Sequence, residues 1–108
     1  MKQRPFRFSV QEHRAHNAKQ WRERARAIES MGYSGLYLPD HFGDQPGPIA
    51  ALMAAADATT TLRVGSLVFD NDYRHPVVLA KEAATIDLLS DGRFDLGIGA
   101  GWLVSRPR

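Results

Sequence analysis

At 108 residues with a formal net charge of +2, the chain has room for one domain with a modest core, near the low end for α/β architecture. Arg106 and Arg108 account for that charge, and a short basic tail without a clustered basic face argues against a nucleic-acid partner. Cysteine is absent, which excludes disulfides, thiolate metal sites and cysteine nucleophiles. No apolar run is long enough to span a membrane and no signal-peptide core follows the basic Met1–Pro5, so no membrane partner and a cytoplasmic location are expected.

Phe6, Phe8 and Val10 alternate with Arg7 and Ser9, a period of two that predicts a first strand over about Pro5–Val10. Gln11 to His16 is polar and reads as a loop. From Asn17 the period changes. Ala18, Trp21, Ala25 and Ile28 are spaced three and four apart, the pattern of an amphipathic helix with Asn17 as N-cap and Gly32 as its stop. Leu36-Tyr37-Leu38 forms a second, short apolar strand that ends on Pro39 and is followed at once by Asp40 and His41. After a loop over Gly43–Gly47, Pro48 suits the first turn of an alanine-rich helix running to Ala58.

Leu62 to Phe69 is rich in β-formers and predicts a third strand. Its internal Gly65 signals irregular backbone or a close approach. Asp70–His75 is a polar loop, and Pro76 opens a third helix with Val78, Leu79, Ala83, Ile86 and Leu89 toward the core. Ser90-Asp91-Gly92 closes that helix. Arg93–Ile98 is the fourth strand, and it runs into Gly99-Ala100-Gly101-Trp102.

The order β-α-β-α-β-α-β with right-handed crossovers implies a parallel sheet whose strand carboxyl ends share one face. Chemistry gathers at that face in such folds. It collects His13, His16, the Asp40-His41 pair, Asp70–Asp72 and the glycine-rich end of strand four. A parallel sheet ending on a strand with no covering helix reads as cut.

Asp40-His41 fits acid–base work, because a histidine titrates near neutrality and a neighbouring carboxylate biases its charge. An aspartate in a loop also caps local backbone groups, and spacing alone leaves both readings open. Gly97, Gly99 and Gly101 would let a ligand approach the backbone, but the third glycine of a dinucleotide fingerprint would fall on Trp102. Tight packing at the strand end is the favoured reading of these glycines. Glu12, His13 and His16 lack a third ligand at a persuasive spacing, so no metal site is expected.

Several stretches, in order, together resemble the bacterial luciferase-like monooxygenase family, in its coenzyme F420-dependent oxidoreductase branch. They are Met31-Gly32-Tyr33, Leu38-Pro39-Asp40-His41-Phe42, Leu62-Arg63-Val64-Gly65, Arg74-His75-Pro76 through Glu82, Thr85 through Arg93, and Leu96 through Trp102. The resemblance implies the N-terminal half of a (β/α)8 TIM barrel over residues 1–102, followed by an unpatterned tail over 103–108 and thus a truncated chain. It implies that Asp40 and His41 are catalytic, with His41 handling the proton. It also implies that Leu67, Val68, Asn71, Ala100, Gly101 and Trp102 lie against the cofactor, with a non-proline cis peptide near Leu67 and Val68.

The activity so implied is hydride transfer between F420 and a small organic substrate, weak or absent in a half barrel. Two alternatives keep the same residues. One is an FMN-dependent luciferase-like monooxygenase. The other is a non-catalytic remnant that forms a homodimer through exposed strand edges.

Overall fold

The computed structural model describes residues 6–100. In order these form β1 (Ser9–Gln11), α1 (Ala18–Ser30), β2 (Gly35–Leu38), α2 (Pro48–Asp57), β3 (Arg63–Ser66), β4 (Phe69–Asp70), α3 (Pro76–Leu89), β5 (Phe94–Asp95) and β6 (Ile98–Gly99). β1, β2, β3 and β5 make one parallel sheet in that order, and β4 and β6 make a second, two-stranded parallel sheet. The carboxyl ends of the strands therefore share one face, as the element order predicts.

Alternation along the strands sorts their side chains onto two faces. Leu36, Leu38 and Val64 are fully buried, and they pack with Trp21, Ala25 and Ile28 of α1 and Leu52 and Ala55 of α2. The indole N–H of Trp21 donates to the Ala51 carbonyl at 2.8 Å, so the aromatic body joins the core with its polar handle satisfied. On the opposite face lies a polar layer. Asp95 accepts from the Tyr37 hydroxyl at 2.7 Å and from Arg63 Nη2 at 2.8 Å. Burial pushes the Asp95 carboxyl up, but the bonds from Arg63 and Tyr37 outweigh it and hold the group below its ordinary range. Burial, and then the bond to Asp95, raises the Tyr37 phenol.

The helix ends follow the sequence. Asn17 accepts from the Gln20 amide at 2.8 Å, and Gly32 adopts a φ of +91° just past α1. Pro48 and Pro76 each occupy the first turn of a helix. Glu29 supplies a contact that no motif announces. Its Oε2 accepts from the amides of Thr60, Thr61 and Leu62 at 2.9, 2.7 and 2.9 Å, tying the end of α1 to the entry of β3. Arg93 does similar work nearby, donating to the Ala56 and Leu62 carbonyls at 2.9 Å each.

Several boundaries differ from the sequence expectation. The first strand begins at Ser9, because pairing with β2 starts at Ser9 opposite Gly35 and extends to Gln11 opposite Tyr37. Phe6 and Phe8 stand exposed before it, and Pro5 lies outside the described residues. Ala18 is exposed at the first turn of α1. In α3 only Leu79 and Ile86 are buried, with Ala83 packed against the core. Val78 and Leu89 lie off that stripe and remain exposed, since α3 meets the rest of the chain chiefly along α2 and β5.

The third and fourth strands are each divided. Val64 pairs with Phe94, but Phe69 pairs with Ile98, which leaves one extra residue on the β3–β4 side, a bulge that bends the strand. The Ser66 side chain spans the break. Its hydroxyl donates to the Gly97 carbonyl at 2.8 Å and accepts from the Gly97 amide at 2.9 Å.

Two expectations for stability follow. A Cβ at Gly65 would run into the Asp95 carbonyl oxygen and lie 2.8 Å from the Tyr37 ring, so Gly65→Ala should cost about 1–3 kcal/mol or prevent folding, read by urea unfolding. For Glu29, burial raises the carboxyl, but the amide bonds from Thr61, Thr60 and Leu62 outweigh it and lower the group below its ordinary value. Its contribution is thus present above the unfolded-state value near pH 4 and is lost as pH falls through the folded one. Glu29→Gln should cost about 1 kcal/mol at pH 7. The gap between variant and wild type should close as the solution is acidified below pH 4, and a gap independent of pH would contradict this assignment.

Candidate active site at the strand carboxyl ends

Three pieces of chain converge beyond the carboxyl ends of β2, β3 and β6. The first is Pro39–Phe42. Asp40 is buried, and its two oxygens are engaged from separate directions. Oδ2 accepts from the Asp70 amide at 2.9 Å, and the Arg74 guanidinium grips both oxygens, with Nη2 3.0 Å from Oδ1 and Nη1 closing on Oδ2. A buried carboxylate requires such partners. His41 follows directly, half-buried on the same loop. Phe42 beside it is exposed, and its ring lies 4.5 Å from that of Tyr73, a second bridge between the two loops.

The second piece is the divided strand. Between Ser66 and Phe69 the Leu67–Val68 peptide bond is cis, at the position the resemblance implies. The Leu67 amide donates to the Leu38 carbonyl at 2.8 Å, the Phe69 amide to Gly97 at 2.7 Å and the Asn71 amide to Gly99 at 2.9 Å. Gln11 reaches across from β1 to donate to the Leu67 carbonyl at 3.1 Å. With its backbone held on both sides, this segment presents Leu67 (50% exposed) and Val68 (38%) as apolar side chains in the open. Apolar groups displayed on so firmly held a backbone form a shelf on which a flat ligand could rest.

The third piece is the glycine-rich end of strand four. A Cβ at Gly97 would collide with the Ser66 carbonyl oxygen, and one at Gly99 would sit 2.8 Å from Val68 Cγ2. The space beside Gly97 is thus filled by the Ser66 carbonyl and that beside Gly99 by Val68, which fits the packing reading of these glycines. Ala100 is exposed at the end of this piece. Gly101 and Trp102 lie outside the described residues.

The structure thus brings His41, Asp40, Leu67, Val68, Asn71 and Ala100 to one end of the sheet. His16 of the first loop is not among them. His16 lines an apolar groove of about 310 Å³ between the start of α1 and Gly47, whose lining includes none of the strand-end residues just named. Glu12 is paired with Arg24 at 2.7 Å. Among the described residues no group of three or more His, Asp or Glu could hold a metal ion, and no helix is long and apolar enough to cross a membrane.

Arg74 is the residue at this end of the sheet that motif reading passes over. A signal for it exists. A cation just ahead of a helix N-terminus is disfavoured by the helix dipole, so an arginine there before Pro76 calls for a carboxylate, and the buried Asp40 supplies it.

Comparison with known proteins gives the family and the fold. The luciferase-like monooxygenase family profile matches residues 4–106. The chain is 35% identical to 4-hydroxyprotoasukamycin monooxygenase of Streptomyces nodosus subsp. asukaensis, over 79% of this chain and 24% of that protein. It is 34% identical to an F420-dependent glucose-6-phosphate dehydrogenase of Amycolatopsis mediterranei, over 73% of this chain and 26% of that protein. The oxygenating constituent of 3,6-diketocamphane monooxygenase from Pseudomonas putida, solved with FMN, superposes with a TM-score of 0.77. That superposition is at 21% identity and covers 89% of this chain and 30% of the other. The chain spans about a quarter of the length of the curated relatives it matches. Its parallel α/β fold is that of the N-terminal part of the luciferase-like TIM-barrel enzymes, and the chain belongs to the luciferase-like monooxygenase family.

Proposed function

We propose that these residues form the cofactor-facing part of an F420-dependent oxidoreductase site, in which hydride passes between the deazaflavin and a small organic substrate. The observation that carries this reading is the apolar shelf of Leu67 and Val68, exposed yet held on both sides by backbone bonds, with His41 on the adjoining loop. The shelf fits one face of a planar ring. Asn71 and Ala100 flank it, and Gly101 and Trp102 continue the same strand end in sequence. Bound deazaflavin would supply two-electron hydride chemistry at its C5. The residues named here supply position and a proton site. Leu67 and Val68 orient the ring and keep water from its face, and His41 holds or delivers the proton that accompanies the hydride.

Asp40 enters this scheme as the group that fixes the backbone from which His41 projects, since both its oxygens are committed to Arg74 and Asp70. The charge of Asp40 is balanced locally, which leaves His41 to handle the proton. The 34% identity to an F420-dependent dehydrogenase supports the choice of cofactor. A second reading, an FMN-dependent monooxygenase, takes its support from the 35% identity to a monooxygenase. Both readings use the same shelf and differ in whether an oxygen adduct must be protected.

Fluorescence titration of the purified chain with F420 and with FMN separates them. We expect weak binding, with F420 favoured at least tenfold, and Leu67→Asp should abolish it. Preference for FMN would instead establish the monooxygenase reading, and binding of neither would remove both. The 108 residues alone should show little turnover, because the shelf offers contacts to one side of a ring. His41→Asn should leave F420 affinity within about threefold while lowering any measurable F420 reduction by about 10²–10⁴.

A further inference from the structure

We propose that Arg74 is the positioning residue that fixes His41 relative to the shelf of Leu67, Val68 and Asn71, acting through the carboxylate of Asp40. The cofactor-binding role of the shelf rests on the deazaflavin reading; the clasp itself rests on geometry alone.

Arg74 lies just ahead of α3, yet its side chain turns back under the loops, 19% exposed, with the guanidinium carbon 5.0 Å from the centre of the buried Phe69 ring. A guanidinium stacks on an aromatic face and forks onto a carboxylate at once, which an ammonium cannot do. The fork meets Asp40, 5% exposed, whose Oδ2 also takes the Asp70 amide at 2.9 Å. Three segments therefore meet at one carboxylate: the loop that carries His41, the strand end that carries the shelf, and the entry to α3. Asp70 extends the arrangement by accepting from the Asp72 amide at 2.9 Å. Asp40 is the residue immediately before His41, and Asp70 the one immediately before Asn71. Moving Arg74 would thus release both sides of the site together, although Arg74 is itself turned toward Asp40 and Phe69.

The test compares Arg74→Gln, Arg74→Lys, Asp40→Asn and the double variant Arg74→Gln/Asp40→Asn in the full 108-residue chain. It reads amide exchange by NMR, F420 affinity, and the circular dichroism induced in bound F420. Arg74→Gln should raise the exchange rate of the Asp70 amide at least tenfold while the Leu36 and Val64 amides keep theirs. F420 binding should weaken at least tenfold, with a changed induced spectrum. Arg74→Lys, which keeps the charge but not the fork, should retain the fold and recover neither the spectrum nor full affinity. The double variant should be no worse than the poorer single variant, as expected when one residue acts through the other.

Additive losses in the double variant, or an Asp70 amide that stays protected in Arg74→Gln and Arg74→Lys, would overturn the proposal. So would wild-type affinity and spectrum in Arg74→Lys. If Arg74→Gln unfolds, Arg74→Lys and Asp40→Asn decide by the same readings. If the wild-type chain binds no F420, the functional reading fails by itself, and the local exchange of Asp70 still decides for or against the clasp.

Discussion

The buried carboxylate of Asp40 ties together the loops at the strand carboxyl ends of this sheet. Asp40 sits where β2 has ended and no ladder partner remains, and its charge is stabilised by one guanidinium and one backbone amide. Removing one partner of a buried pair commonly costs about 3–5 kcal/mol, because the other charge is left without compensation. The consequence reaches beyond stability. The same bonds fix the loop that bears His41 against the strand that bears Leu67 and Val68, so the energetics of one ion pair and the geometry of the site are one problem.

The sheet prepares the ground for that pair. Parallel pairing brings the strand carboxyl ends to one face, and the extra residue between β3 and β4 turns the strand outward just where the shelf begins. Ser66 closes the gap in the ladder with its hydroxyl, and its carbonyl and Val68 fill the space that side chains at Gly97 and Gly99 would need. The opposite end of the sheet is organised for a different purpose. There Glu29 gathers the Thr60, Thr61 and Leu62 amides, and Arg93 gathers the Ala56 and Leu62 carbonyls. The proposed site and this support thus lie at opposite ends of the sheet, as is usual for strands of this polarity.

Much of this was legible in the residues themselves. Helical spacing placed Trp21, Ala25 and Ile28 in the core, and the caps at Asn17 and Gly32 and the prolines at 48 and 76 set helix ends to within a residue or two. Period-two patterning was less reliable. It drew Phe6 and Phe8 into a strand, because alternation records which side chains differ in polarity and not whether a neighbouring strand is there to pair. Irregular backbone in strand three was signalled by Gly65 and by the resemblance near Leu67 and Val68, whereas the break in strand four was hidden, since it leaves no compositional mark beyond glycines that could equally signal ligand approach. At the site, His41 stood out by its place just past a strand end and Leu67 and Val68 by resemblance, while the role of Arg74 escaped notice because its partner lies 34 residues away.

The central claim is that residues from the ends of β2, β3 and β6 form one surface that receives the face of a deazaflavin. Chemical-shift mapping of the isotope-labelled chain during addition of F420 tests it most directly. The account predicts perturbations concentrated at residues 38–42, 67–71 and 97–100, with the core amides of Ala25 and Leu52 unmoved. Perturbations centred instead on the groove beside Trp21, or spread over the exposed face of α3 with the shelf silent, would contradict it.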